Sequence, residues 1–230
     1  MRQTGKRVFF TTSWDDGNKS DLKVARILKK HCIKGTFYIP IHWKYRTLND
    51  KDIKKLSKNF EIGFHGFEHK NLTKLNKVEL KKEILESKKL LEKTINKKIV
   101  CFAYPFGIYN KNALETVKSS GYKFARTDIE TCLEKRTNPL LSHISVQVSN
   151  KPTRYFIRFF KFNMTSVLSW HKRAKLLFDK VLNEGGIFHI SGHSWEIEKN
   201  DDWEKLIDFF DYAVKHDDVI FLNNSEIVRL

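Results

Sequence analysis

Apolar runs of strand length alternate with lysine-rich amphipathic stretches of helix length along most of the chain. The apolar runs predict strands at Val8 to Ser13, Gly35 to Ile39, Glu61 to Phe64, Ile99 to Tyr104, Lys123 to Thr127, Ile144 to Val148, Gly186 to Ser191 and Val219 to Leu222. Between them, helical periodicity predicts helices at Asp21 to Lys30, Lys51 to Lys58, Val78 to Ile95, Ala113 to Ser119, Ser169 to Asn183 and Asp202 to Lys215. Ser20 stands where the first helix needs an N-cap, and Gly121 where the fourth must stop. Strands separated by helix-length segments imply parallel pairing through crossover helices, and about eight such units imply a closed or nearly closed α/β barrel. No Pro/Gly/Ser-rich linker, low-complexity tract or internal repeat marks a boundary, so residues 1–230 read as one domain.

A barrel sets a geometric condition on chemistry, because the loops after the strands all open onto one face. The unusual polar residues do follow strands. Asp15 and Asp16 come after the first, His65 and His69 after the third, Pro105 and Phe106 after the fourth, and His193 after the seventh.

Composition narrows the setting. The chain has 230 residues and 40% hydrophobic content, enough for a sizeable core. Its start, Met1 to Arg7, is charged and leads into no long apolar stretch, so neither a signal peptide nor a membrane anchor is expected and the expected location is cytoplasmic. Cys32, Cys101 and Cys132 are too few and too scattered for a disulfide framework, and reduced, mostly buried thiols are expected. The formal charge of +16 would suit an anionic partner, but its lysines fall in pairs such as Lys29-Lys30, Lys54-Lys55, Lys81-Lys82, Lys88-Lys89 and Lys97-Lys98, spaced for solvated helix faces. Arg154 to Phe162 interleaves bases and aromatics as single-strand-binding surfaces do, and reads better as an element with a buried aromatic face. No specific nucleic-acid partner is expected.

Taken alone, Trp14-Asp15-Asp16-Gly17 reads first as an Asp-Gly turn bearing two solvated acids. Two adjacent carboxylates nevertheless repel when ionised, which suits a nearby cation or a proton to be moved. His65-Gly66-Phe67-Glu68-His69 brings two imidazoles within reach of a single divalent ion. With Asp16 they make a two-His, one-Asp site for zinc or another first-row metal, with positions left open for water and substrate. The same five residues fit an inverted zinc-peptidase motif, which needs a continuous helix that Gly63 and Gly66 interrupt. Of the histidines near the seventh strand, His189 lies within the apolar run and reads as a core residue. His193, after Gly192, is the better candidate for a proton donor.

Together these segments resemble the polysaccharide deacetylase superfamily, also known as carbohydrate esterase family 4 or the nodulation-protein-B homology domain. Trp14-Asp15-Asp16-Gly17 is similar to its first motif, His65-Gly66-Phe67-Glu68-His69 to its second, Phe102-Ala103-Tyr104-Pro105-Phe106-Gly107 to its third, and His193-Ser194-Trp195-Glu196 to its fifth, in the family's order. The resemblance implies a distorted (β/α) barrel of seven or eight parallel strands. It implies a divalent metal, usually zinc, held by Asp16, His65 and His69, with Asp15 as the base toward water and His193 as the acid toward the leaving amine. It also implies an oxyanion and substrate site at the Phe106 amide, with Tyr104 and Trp195 alongside. The implied reaction removes an N-acetyl group from an N-acetylated carbohydrate. Two departures stand out: Ala103 occupies the place of the third motif's arginine, and the fourth motif is not recognisable after Thr127. Arg126 ends the next predicted strand and is the candidate to supply the missing charge. Two other readings share the fold: an amidohydrolase of small non-sugar amides, and a non-catalytic barrel that binds glycans or nucleic acid.

Overall fold

The computed structural model describes residues 7–134, 137–149 and 169–230; Arg154 to Phe162 lies outside them. In chain order the elements are β1 (Val8–Asp15), α1 (Asp21–Lys30), β2 (Thr36–Ile39), α2 (Asp50–Leu56), β3 (Glu61–Phe64), α3 (Lys77–Lys81), α4 (Lys88–Ile95), β4 (Cys101–Ala103), α5 (Lys111–Ser119), β5 (Phe124–Arg126), β6 (Val146–Val148), α6 (Trp170–Glu184), β7 (Gly186–Gly192), α7 (Ser194–Asn200), α8 (Trp203–Ala213) and β8 (Val219–Leu222). All strand pairs are parallel, in the order β5-β4-β3-β2-β1-β7-β6. β8 lies against the first half of β1, and β2 takes the same edge over the second half. A parallel bridge between Arg126 and Ser142, just ahead of β6, joins the two ends of this order into a ring. The architecture is a parallel (β/α) barrel, as the alternation implies, in the distorted form that the resemblance implies.

Burial on both faces explains why the strands read as continuous apolar runs. Outside the ring, Phe10, Phe178, Phe188, Phe209 and Phe221 pack ring to ring between β1, β7, β8 and the helices α6 and α8. Inside, the chain is more polar. The C-terminal 3-10 segment Asn224–Arg229 closes the end of the barrel opposite the Asp15-Asp16 turn. Its buried Asn224 donates to Thr11 Oγ1 (2.8 Å) and accepts from the Tyr38 hydroxyl (2.7 Å), so a buried amide is satisfied by two strands.

The helices differ from expectation in three places. The Val78–Ile95 segment is not one helix: a π-helical turn, Lys82–Glu86, separates α3 from α4. Ser20 occupies the N-cap position of α1 but makes no side-chain cap, whereas Gly121 follows α5 in the left-handed conformation that its role as a stop requires. α7 begins inside the His193-Ser194-Trp195-Glu196 motif, a helix that the periodicity does not predict. Among the thiols Cys101 is buried, Cys132 half-buried and Cys32 exposed, against the expectation of mostly buried cysteines. The paired lysines are solvent-facing except Lys88, whose ammonium donates to Ser120 O (3.1 Å) over the Tyr122 ring. No helix among the described residues is long and apolar enough to cross a membrane.

Candidate active site and metal centre

Asp15 ends β1 and Asp16 begins the turn, where Asp16 and Gly17 both take positive φ (76° and 63°). His69 (φ 54°) and Phe106 (φ 60°) share that conformation. A non-glycine residue held there costs about 1–3 kcal/mol. Three such residues meeting at one point identify a place where geometry is kept at the expense of local backbone energy.

The side chains of Asp16, His65 and His69 are buried and converge. His69 Nε2 lies 3.7 Å and His65 Nε2 4.0 Å from Asp16 Oδ1, and the two Nε2 atoms are 3.0 Å apart. His65 Nδ1 donates to Ala103 O (2.9 Å), which fixes the tautomer and leaves Nε2 with a lone pair facing the cluster. Asp16 Oδ2 accepts the Trp195 indole N–H (2.9 Å), while Oδ1 is buried with no hydrogen-bond partner. Burial pushes the His65 imidazole down to about 4 despite the pull of Asp15, and that of His69 to about 3 with His65 beside it, so both are neutral at pH 7. An unpartnered carboxylate oxygen facing two neutral imidazoles fits a divalent cation bound by one oxygen and two nitrogens. The peptidase reading lacks its helix, since His65 to His69 is irregular chain after β3.

The π turn has a role in this geometry. It carries the buried Glu83, whose Oε1 accepts the backbone N–H groups of Glu68 (2.9 Å) and Lys70 (3.3 Å), on either side of His69. A carboxylate brought up by one extra residue in a helix thus fixes the strained loop that presents the second imidazole.

Asp15 is gripped by Arg126, which is 2% exposed and whose Nη2 donates to Asp15 Oδ1. Burial alone would raise the Asp15 carboxyl; the Arg126 guanidinium, helped by His65 and His193, outweighs it and holds the pKa at about 2. Arg126 is the β5 register partner of Ala103 on β4, so the charge comes from the strand next to the motif's own. The Tyr38 ring supports the guanidinium at 5.1 Å.

His193 sits between β7 and α7, with Nε2 3.8 Å from Asp16 Oδ2 and Nδ1 3.0 Å from Glu196 Oε2. Burial would lower its pKa, but the Glu196 hydrogen bond and the nearby carboxylates raise it to about 9. Phe106 lies in the turn after β4, its ring edge-on to His69 at 4.6 Å.

Two of the expected substrate-side residues make contacts within the protein. Tyr104 is buried and its hydroxyl donates to Leu140 O (3.2 Å), so it braces the turn rather than facing the open side. Trp195 spends its N–H on Asp16 and stacks on Tyr45 (4.3 Å, 4°), which makes it a support for the carboxylate. His189, as expected, is a core residue, its Nε2 2.8 Å from Ser13 Oγ. The loop after β2 went unnoticed in the sequence: Trp43 stacks on His69 (4.3 Å, 21°) and Tyr45 on Trp195, so this loop walls one side of the site. The available signal was an aromatic cluster, Trp43-Lys44-Tyr45, shortly after a strand end.

Residues 2–125 match the polysaccharide deacetylase family model, and the chain belongs to that family. Among solved structures it is similar to a putative polysaccharide deacetylase from Mycobacterium smegmatis (TM-score 0.74, 14% identity, 100% of this chain and 92% of that one). It is also similar to a carbohydrate esterase family 4 pseudoenzyme from Bacillus anthracis (TM-score 0.62, 19% identity, 98% and 66%). In sequence it is 31% identical over 100 residues to the uncharacterized protein YlxY of Bacillus subtilis, 43% of this chain and 31% of that protein. The match thus spans under a third of that relative's length.

Proposed function

We propose that this chain is a divalent-metal-dependent hydrolase that removes the N-acetyl group of an acetamido sugar. The observation that carries the reading is Asp16 Oδ1, buried and unpartnered, facing the His65 and His69 Nε2 atoms, with Asp15 and His193 close on either side. Asp16, His65 and His69 would hold the metal, zinc being the natural choice for a nitrogen and oxygen set. When bound, such an ion acidifies water and polarises a carbonyl.

Asp15, ionised at neutral pH, accepts the proton of the attacking water, and Arg126 keeps its carboxylate aimed and charged. The resulting hydroxide adds to the acetamide carbonyl, and in this reading the Phe106 amide takes the developing negative oxygen. His193, protonated at neutral pH, gives its proton to the sugar nitrogen as the C–N bond breaks, releasing acetate and a free amine. Trp43 and the exposed Phe106 flank the opening, and flat aromatic faces suit a pyranose ring.

Metal analysis of the purified protein, and acetate release from N-acetylated chitooligosaccharides by wild type and Asp15→Asn, test the reading. Bound metal and Asp15-dependent acetate support it. A protein that binds metal but releases no acetate from any acetamide would instead favour a non-catalytic barrel, and a pseudoenzyme is among the proteins that share this fold.

A further inference from the structure

Among the described residues, two helices begin with a complete capping box, in which the N-cap side chain takes an N3 backbone N–H and the N3 acid returns to the N-cap backbone: Asn49 with Asp52 and Asn76 with Glu79; at the start of the C-terminal 3-10 segment Glu226 likewise returns to the Asn223 backbone N–H (2.7 Å). α7 has the same spacing with a different outcome. Its N-cap is His193, its N3 residue is Glu196, and no side-chain cap is made. The Glu196 carboxylate bonds instead to His193 Nδ1 at 3.0 Å. An acid that elsewhere in this chain serves the backbone here serves an imidazole.

This contact has a geometric effect. Extended backbone at His193 (φ −113°, ψ 121°) throws the ring off the end of β7. One nitrogen, Nδ1, is tied to Glu196, so the other, Nε2, is directed toward Asp16 Oδ2 at 3.8 Å. The Trp195 ring, 5.4 Å from the imidazole and pinned by its own bond to Asp16, limits the ring from the side.

We propose that Glu196 is the positioning residue for His193: it holds Nδ1–H so that Nε2 is presented to the leaving nitrogen, from within the same helical turn. This rests on the reading of His193 as the acid. Donation of a proton matters for an amine and hardly at all for an activated phenolate, which leaves unaided, so two substrates separate positioning from folding.

In the metal-loaded full chain, Glu196→Ala should lower kcat on an N-acetylated chitooligosaccharide by about 100-fold. KM, the melting temperature and hydrolysis of 4-nitrophenyl acetate should change little. Glu196→Gln, which keeps an acceptor for Nδ1–H, should restore most of the loss. Independently of activity, proton NMR of the metal-free protein should show a His193 Nδ1–H resonance far downfield that is lost in Glu196→Ala. Equal losses on amide and ester, an unaffected amide rate, or an Nδ1–H signal indifferent to the substitution would each overturn the proposal. If wild type cleaves no acetamide while that signal depends on Glu196, the deacetylase reading fails and the positioning holds.

Discussion

Arg126 reaches across from β5 to hold Asp15 at the end of β1, while Ala103, its register partner on β4, contributes no charge. The two strands are neighbours, so a guanidinium launched from either can arrive at the same carboxylate. Arg126→Ala should therefore lower turnover about 100-fold or more, by leaving the base unaimed. It also leaves a buried carboxylate without its partner, a loss of about 3–5 kcal/mol. Acetate-release kinetics together with urea melts check both effects, and Ala103→Arg on that background should recover part of each. A near-normal rate for Arg126→Ala would remove it from the site.

Metal removal should be visible in stability. A ligand at 100 times its dissociation constant stabilises by about 2.7 kcal/mol. Zinc should accordingly raise the wild-type melting temperature, a chelator should reverse the rise, and Asp16→Ala should abolish it. Calorimetric scans with and without zinc decide the matter; an identical rise in Asp16→Ala would mean that the metal binds elsewhere.

Glu83 offers a test at a distance from the chemistry. Its carboxylate holds the backbone on both sides of His69, so Glu83→Ala should weaken zinc binding by about 10- to 100-fold, the usual loss when a ligand's support is removed. Competition with a chromophoric chelator measures it. Unchanged affinity would show that the loop holds its strained form without this carboxylate.

His189 predicts an acid limb. Burial lowers its pKa from 6.5 to about 3, so it stays neutral in the fold where the unfolded chain takes up a proton. Its contribution is full above about 6.5 and is lost as pH falls toward 3. Urea midpoints should thus drop between pH 6.5 and 4 in wild type, and drop less in His189→Gln. Equal slopes for the two proteins would contradict the assignment.

The barrel and its open face were legible because burial on both sides of each strand writes an unbroken apolar run, as in Val8 to Phe10, and the acids and histidines follow such runs. That Asp15, Asp16, His65, His69 and His193 converge on one face was legible for that reason. The roles of Tyr104 and Trp195 were not, since both depend on partners 36 and 179 residues away. The π turn was hidden as well, because its purpose lies in the His69 loop rather than in its own helix. α7 was missed because its seven residues are too few to display a period.

Arg126 has a second attachment: it is the residue through which β5 meets Ser142 and closes the ring. Around the rest of the circumference neighbouring strands share longer ladders, except between β3 and β4, so this joint resembles a clasp on a hoop. Any breathing that parts the clasp also draws the guanidinium away from Asp15. Closure of the ring and the hold on the Asp15 carboxylate thus pass through one residue.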